Sequence, residues 1–494
     1  MSGNIPQVRL AMAAVSRDCF PAALSKRRAS AVAEAYEKRY GELMRTRVLV
    51  ESEADVPRAL EELRAMGANA LVIYLGNFGP EGPEALLAER FDGPVMLCAA
   101  GEERTEGLRA SRGDAYCGLL NASYSLGLRG ARAYIPSVPV GTPDKVAEMI
   151  HGFEPIARVL LGVRQLKIIS FGPRPQDFLA CNAPLKPLYD LGLVSVEENS
   201  ELDLLDAYRG HDGDERIPQL AAEMAQELGQ EQTTDILLRL AQYELTLLDW
   251  MDKRRGAARY VAFASKCWPA FAGNFGFVPC YVHGRLTARG IPVACEVDLY
   301  GALSEYMAAC AADRPPLLLD INNTVPPDMY DAAIKGKYPY TPDEVFMAFH
   351  CGNGYPGCVV GGKLTHHAIL KQGIEPDSPP DKSRGTYEGN VIPGPATLFR
   401  LHGAADGRLC AYAAQGEVLP VDASSFGTIG VFGVPEMMRF YRYVLLEKHY
   451  PHHCAVAFGK AGRVLFEAVR LLGVEEMDYN RPSGFPYPCE NPFE

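Results

Sequence analysis

Two acids stand where short apolar runs end: Glu296 in CEVD (295–298) and Asp320 in LLLDINN (317–323). Residues 291–296 and 317–319 have the character of strands. Between them Asp298 reads as the N-cap of a helix reaching about Ala312, and Arg314, Pro315 and Pro316 end that helix. A strand–helix–strand unit of this length predicts two parallel strands in one sheet with a right-handed crossover. Glu296 and Asp320 then share the C-terminal edge, where open α/β sheets hold ligands. Two carboxylates brought together suit a divalent cation or an acid/base pair.

Histidines are the natural third partner, because carboxylates with imidazoles commonly hold divalent metals. The chain has ten, including the doublets His366-His367 and His452-His453 and the isolated His350. His453 lies in YPHHCAV, a tight lead-in to a strand; a hydrogen-bonded core histidine is the plain alternative for each of them. Several other chemistries are excluded. HExxH is absent, and so are G-x-S-x-G and a G-x-G-x-x-G after the first strand. GCVVGGKL (357–364) lacks the hydroxyl residue a phosphate loop places after its lysine, and 365–370 reads as strand rather than helix. Cys454 adjoins His453, but neighbours in a strand face opposite ways and cannot pair. His350, Cys351 and Cys358 do not have a usual zinc spacing. Two loops add candidate contacts. Arg17 lies in SRDCFP (16–21), which either caps the next helix or meets a ligand. Trp268, beside Pro269 in SKCWPAF (265–271), offers a stacking surface for a sugar or a packing residue.

Residues 8–15, 47–51, 70–74, 95–98 and 133–135 are strand-like, with helical spacing at 23–43, 53–66 and 83–90. That alternation predicts a parallel sheet covered on both faces. A connecting helix at 142–163 leads to a second α/β unit with strands at 166–171, 194–197 and 260–264. Its helical stretch 217–255 breaks at Gly229 and restarts at 233–235. Beyond Asp320, residues 345–433 are rich in short alternating runs and predict an antiparallel barrel or sandwich; helices follow at 435–447 and 460–472. The expected architecture is therefore α/β: two parallel-sheet α/β domains (1–165 and 166–315, the second carrying Glu296) and a β-rich, barrel-like C-terminal domain (316–494, carrying Asp320 and His453).

The chain has 494 residues and a net charge of −12. With no run of Lys and Arg, it is not built for nucleic acid. No apolar stretch approaches the roughly 20 residues of a membrane span, and the N-terminus lacks a secretory pattern. Thirteen cysteines without a CxxC pair read as reduced thiols, so a cytoplasmic protein is expected.

Taken together, SRDCFP, CEVD…LLLDINN, the β-rich C-terminal region and PHHCAV resemble the L-fucose isomerase and L-arabinose isomerase superfamily. Asp320, where arabinose isomerases have Glu, places the resemblance nearer the fucose branch. It implies an aldose–ketose isomerase acting through an enediol on an L-fucose-like or pentose sugar. It implies Mn²⁺ or another divalent metal on Glu296, Asp320 and His453, with the two acids also moving protons. Arabinose isomerases supply a further histidine, for which His350 is the counterpart. Arg17, Trp268, His350 and His452 become the substrate contacts. The family's hexamers or trimers, whose sites join neighbouring N-terminal domains, imply a homo-oligomer in which Arg17 reaches the next subunit. A non-catalytic sugar-binding homologue and an isomerase of a modified sugar are the alternatives.

Overall fold

The structure is a computed structural model and describes residues 3–109, 112–370, 381–491 and 493. The chain divides into two compact units, Pro6–Leu161 and Gly162–Glu494, the latter joined by the first five residues.

The first unit is built on a five-stranded parallel sheet. Its strands are β1 (Leu10–Val15), β2 (Met44–Arg45), β3 (Ala70–Leu75), β4 (Val95–Ala100) and β5 (Val140–Gly141), in the order β2-β1-β3-β4-β5. β3 and β4 are buried along their whole length, as continuous apolar runs covered on both faces should be. The runs at 47–51 and 133–135, expected as strands, supply only isolated bridges at Val50 and Tyr134. The helix Ala115–Arg129 was not expected, and its outward face explains why. Tyr116, Leu120, Tyr124 and Leu128 are exposed at i, i+4 spacing, so the chain shows no polar stripe there.

The second unit holds two sheets. A four-stranded parallel sheet comprises β6 (Leu166–Phe171), β7 (Ser195–Asn199), β8 (Tyr260–Ala264) and β9 (Val293–Ala294), in the order β7-β6-β8-β9. The helices Ile217–Glu227 and Asp235–Arg254 flank the expected break, where Gly229 takes a positive φ of 66°.

The remaining strands are β10 (Leu317–Thr324), β11 (Val345–His350), β12 (Val359–His366), β13 (Arg384–Val391), β14 (Gly394–Gly403), β15 (Leu409–Leu419), β16 (Thr428–Gly433), β17 (His453–Phe458) and β18 (Glu476–Tyr479). Six of them close into an antiparallel ring, β16-β11-β10-β17-β14-β15, because β15 also pairs with β16. β13 extends the ring from β16 and carries β12 outside it, while β18 pairs with β15. Closure removes the free edges among the six ring strands. The expected barrel is therefore present, and the chain has two parallel α/β sheets followed by a large mixed one.

One expectation is overturned. The strands that precede and follow the helix Leu299–Ala312 do not lie in one parallel sheet. β9 ends the four-stranded sheet, whereas β10 pairs antiparallel with β11 and β17 in the ring. The helix between them is buried at every residue except Ala312 and packs against both β8 and the ring strands β14 and β17. An apolar helix of this kind is a core shared by two sheets, rather than the half-exposed crossover of one. Among the described residues no helix is long and apolar enough to cross a membrane.

Candidate active site

Glu296 is aimed by a strained turn. β9 stops after two residues, and Cys295–Val297 coils into a short 3₁₀ turn in which Glu296 and Val297 have φ of 52° and 57°. Left-handed backbone costs a residue with a Cβ about 1–3 kcal/mol, most for a β-branched one such as Val297. The turn is fixed by hydrogen bonds from the Val297 amide to the Ser265 carbonyl (3.0 Å) and from the Asp298 amide to the Cys295 carbonyl (3.0 Å). Asp298 then caps the next helix, its carboxylate accepting from the Gly301 amide at 2.8 Å. The sequence-predicted cap is the one observed.

Asp320 and His453 meet by register. In the β10–β17 ladder they are direct cross-strand partners, so their side chains share a face. In the β10–β11 ladder Asp320 is opposite Phe349, which leaves His350 at the end of β11 beside the same spot. His453 Nε2 lies 2.9 Å from Glu296 Oε2 and 3.4 Å from Asp320 Oδ1. His350 Nε2 is 3.8 Å from Glu296 Oε2, and His452 Nε2 is 3.7 Å from Asp320 Oδ1. Glu296 Oε2, Asp320 Oδ1, His350 Nε2 and His453 Nε2 are all buried and make no hydrogen bond. Buried polar atoms are normally satisfied, and here four lie in a row: His453 Nε2 stands between Glu296 Oε2 and Asp320 Oδ1, and His350 Nε2 faces Glu296 from the other side. Two carboxylates and an imidazole with unspent lone pairs are a fitting donor set for a divalent cation. Cys181 and Cys295 also bring sulfur near Glu296.

The electrostatics follow from this crowding. Burial pushes the Glu296 carboxyl up, but His453, His350 and His452 outweigh it and hold it near 2. Burial opposes charge on His453 too, yet Asp298, Cys181 and Glu296 raise it well above the usual imidazole range. His452 is lowered to about 4 by burial and by the neighbouring His453.

Two residues behind His453 were missed as parts of the site. Asp298 Oδ2 receives His453 Nδ1 at 2.8 Å, and Arg400 grips the same carboxylate through NH1 (2.5 Å) and NH2 (3.0 Å). Asp298, Arg400 and His453 are each 1% exposed. From the sequence Asp298 reads only as a cap. The available signal was Arg400 itself, a charged residue in the apolar strand run Leu398, Phe399, Leu401.

The other predicted contacts divide between the two units. Phe178, also unforeseen, meets Trp268 edge-on at 6.4 Å and His452 at 5.3 Å between ring centroids. Half-buried Trp268 also packs against Cys267, Ala272, Val278 and Cys280, so the packing alternative holds for part of its surface. Arg17 belongs to the N-terminal unit, where it pairs with Glu81 (3.1 Å) and lies over the Phe78 ring. Lys363 sits on β12 facing Glu388 (3.4 Å), so this stretch is a strand and not a loop, although the strand expected to run to 370 ends at His366 and residues 368–370 are helical.

Two family models match the chain. "Fucose/sulfoquinovose isomerase, N-terminal domain" covers residues 11–164 and "L-fucose isomerase, C-terminal domain" covers 368–479. Glu296 and Asp320 fall between the matched stretches, and His453 falls within the second. Similar curated proteins are sulfoquinovose isomerases. That of Alkalicoccus urumqiensis is 25% identical over 342 residues, 68% of this chain and 70% of the relative. That of Priestia aryabhattai is 24% identical over 349 residues, 69% and 70% of the two chains.

Proposed function

Because this chain belongs to the L-fucose isomerase family of aldose–ketose isomerases, we propose that it is a metal-dependent one acting on a modified six-carbon sugar of the sulfoquinovose type. The observation that carries the metal is the unsatisfied His453 Nε2 standing 2.9 Å from Glu296 Oε2 and 3.4 Å from Asp320 Oδ1, both also unsatisfied. Those three residues would hold the ion, with Mn²⁺ the expected species. When bound, it supplies Lewis-acid polarisation of the sugar oxygens.

The chain's own groups carry the rest. Isomerisation moves the C2 proton of the aldose to C1 and the O2 hydroxyl proton to O1, through an enediol. Glu296 and Asp320 are the carboxylates for these transfers, one serving carbon and the other oxygen. His350 Nε2 faces the same space as a hydrogen-bond donor to a sugar oxygen. Phe178, Trp268 and His452 form an apolar wall for the ring-carbon face of the substrate. Arg17 is kept as a substrate contact, supplied within a homo-oligomer. The sulfoquinovose relatives favour an anionic substituent over the methyl group of an L-fucose-like sugar.

The test is turnover. Metal-free protein is given Mn²⁺ and a panel containing sulfoquinovose, L-fucose and aldopentoses, and ketose is measured. The reading expects metal-dependent conversion, greatest on the sulfonated sugar. Stoichiometric Mn²⁺ binding without turnover of any of them overturns it in favour of a non-catalytic sugar binder.

A further inference from the structure

His350 and His453 lie with their rings 5.7 Å apart and 23° from parallel, both presenting Nε2 to Glu296. What lies behind each ring is different. His453 Nδ1 faces Asp298 Oδ2 at 2.8 Å, and a carboxylate only accepts. Nδ1 must therefore carry hydrogen, which makes Nε2 the nitrogen that can exchange its own proton for a cation. His350 Nδ1 instead accepts from the backbone amide of Cys351 at 2.8 Å. Its lone pair is engaged there, so the hydrogen of the neutral ring is on Nε2, which can donate but not ligate.

We propose that Asp298, clamped by Arg400, is a positioning residue that turns His453 into a cation ligand, while the Cys351 peptide makes its neighbour His350 a hydrogen donor. This rests on the metal-site reading above and deepens it by assigning unlike roles to two adjacent histidines.

Asp298 is well made for the task. Oδ1 accepts from the Gly301 amide and Arg400 NH2, and Oδ2 accepts from Arg400 NH1 and His453 Nδ1. Four donors from three segments fill the carboxylate, so it has no freedom to rotate. The arginine comes from β14, beside β17 in the ring. The Ser304 hydroxyl is tied to β14 through the Leu401 amide (3.0 Å), which fixes the capped helix to the same strand. The ring and the helix thus determine His453's orientation jointly. Partners of this kind behind a metal ligand typically contribute 10–100-fold to affinity.

Mn²⁺ binding to the metal-free protein, followed by the loss of the free-ion paramagnetic resonance signal, tests this. The expectation is one site in the wild type and a dissociation constant raised about 10–100-fold in Asp298→Asn, the metal-free variant still unfolding cooperatively but at a lower thermal midpoint because Arg400 loses its counter-charge. The Asn amide can donate to Nδ1 and so impose the wrong tautomer. His350→Ala should bind Mn²⁺ within about threefold of wild type. Asp298→Asn with wild-type affinity, or His350→Ala with the larger loss, overturns the inference. Should Asp298→Asn not fold, ¹⁵N-histidine wild type loaded with ¹¹³Cd²⁺ decides. Coupling is expected to His453 Nε2 alone, with hydrogen retained on Nδ1; coupling to His350 or to His453 Nδ1 sinks it. Absence of any Mn²⁺ site in the wild type is the separate outcome that removes the metal reading, and this inference with it.

Discussion

Asp320 and His453, far apart in sequence, face each other across the β10–β17 ladder with Asp320 Oδ1 3.4 Å from His453 Nε2. The pair is set by strand register, and register in a closed ring cannot slip by one residue without turning every side chain to the other face.

Glu296→Gln and Asp320→Asn keep the size of each side chain and remove its charge. Each should lower kcat at least ~100-fold, the usual share of a positioned acid or base, while circular dichroism stays native. A rate within tenfold of wild type for either variant would remove that residue from the proton transfers.

His453→Ala deletes an imidazole that three carboxylates surround. Mn²⁺ affinity should fall more than ~100-fold, beyond what loss of a supporting residue produces. A chelator should abolish wild-type activity, and added Mn²⁺ should restore it. Calorimetric titration of the metal-free variant checks the first part; unchanged affinity would exclude His453 as a ligand.

Away from the site, Glu244 is fully buried and accepts from Arg285 Nε and Arg289 NH1, each at 2.8 Å. Arg285 is itself buried and also pairs with Glu227. Glu244→Ala removes the buried carboxylate from Arg285, leaving it Glu227, and should cost ~1–3 kcal/mol. Denaturant unfolding measures it, and a loss under 1 kcal/mol would contradict the assignment.

Glu84 gives a pH signature. Burial, then the nearby Glu81, push its carboxyl up to about 8, against the pull of Arg17. Neither carboxyl oxygen has a hydrogen bond. The folded chain holds a proton that the unfolded chain releases above the ordinary carboxylate value of 4.5. The associated stability is complete below that value and is lost as pH rises through 8, on the order of 5 kcal/mol in all. Glu84→Gln should match wild type at pH 5 and exceed it at pH 8. Parallel melting curves would show no contribution from this group.

Much of this architecture was legible in the chain. The apolar runs at β6 and β8 fall where the residues predict, because buried strands leave continuous apolar runs. Asp298 announced its helix by type alone. Less legible was the partnership of β10. Leu317, Leu318 and Leu319 fit a parallel strand as well as a ring strand, and only pairing with β11 and β17 distinguishes them. The two acids Glu296 and Asp320 and the histidine His453 were visible as candidates, but the roles of Asp298 behind the histidine, Arg400 and Phe178 depend on contacts that no local pattern encodes. The helix Ala115–Arg129 escaped for the opposite reason, its exposed face being as apolar as its buried one.

The order of the ring strands has a bearing on biosynthesis. β17 is the last of the six to leave the ribosome, yet its place is between β10 and β14, two strands made well before it. Until it arrives those two have unpaired edges, and such edges invite association with other chains. β17 also begins with His453, so the insertion that closes the ring delivers the imidazole between Glu296 and Asp320. On the proposed metal reading a nascent chain lacks one of its three ligands until the topology is finished, and a product terminated ahead of β17 is expected to be inactive.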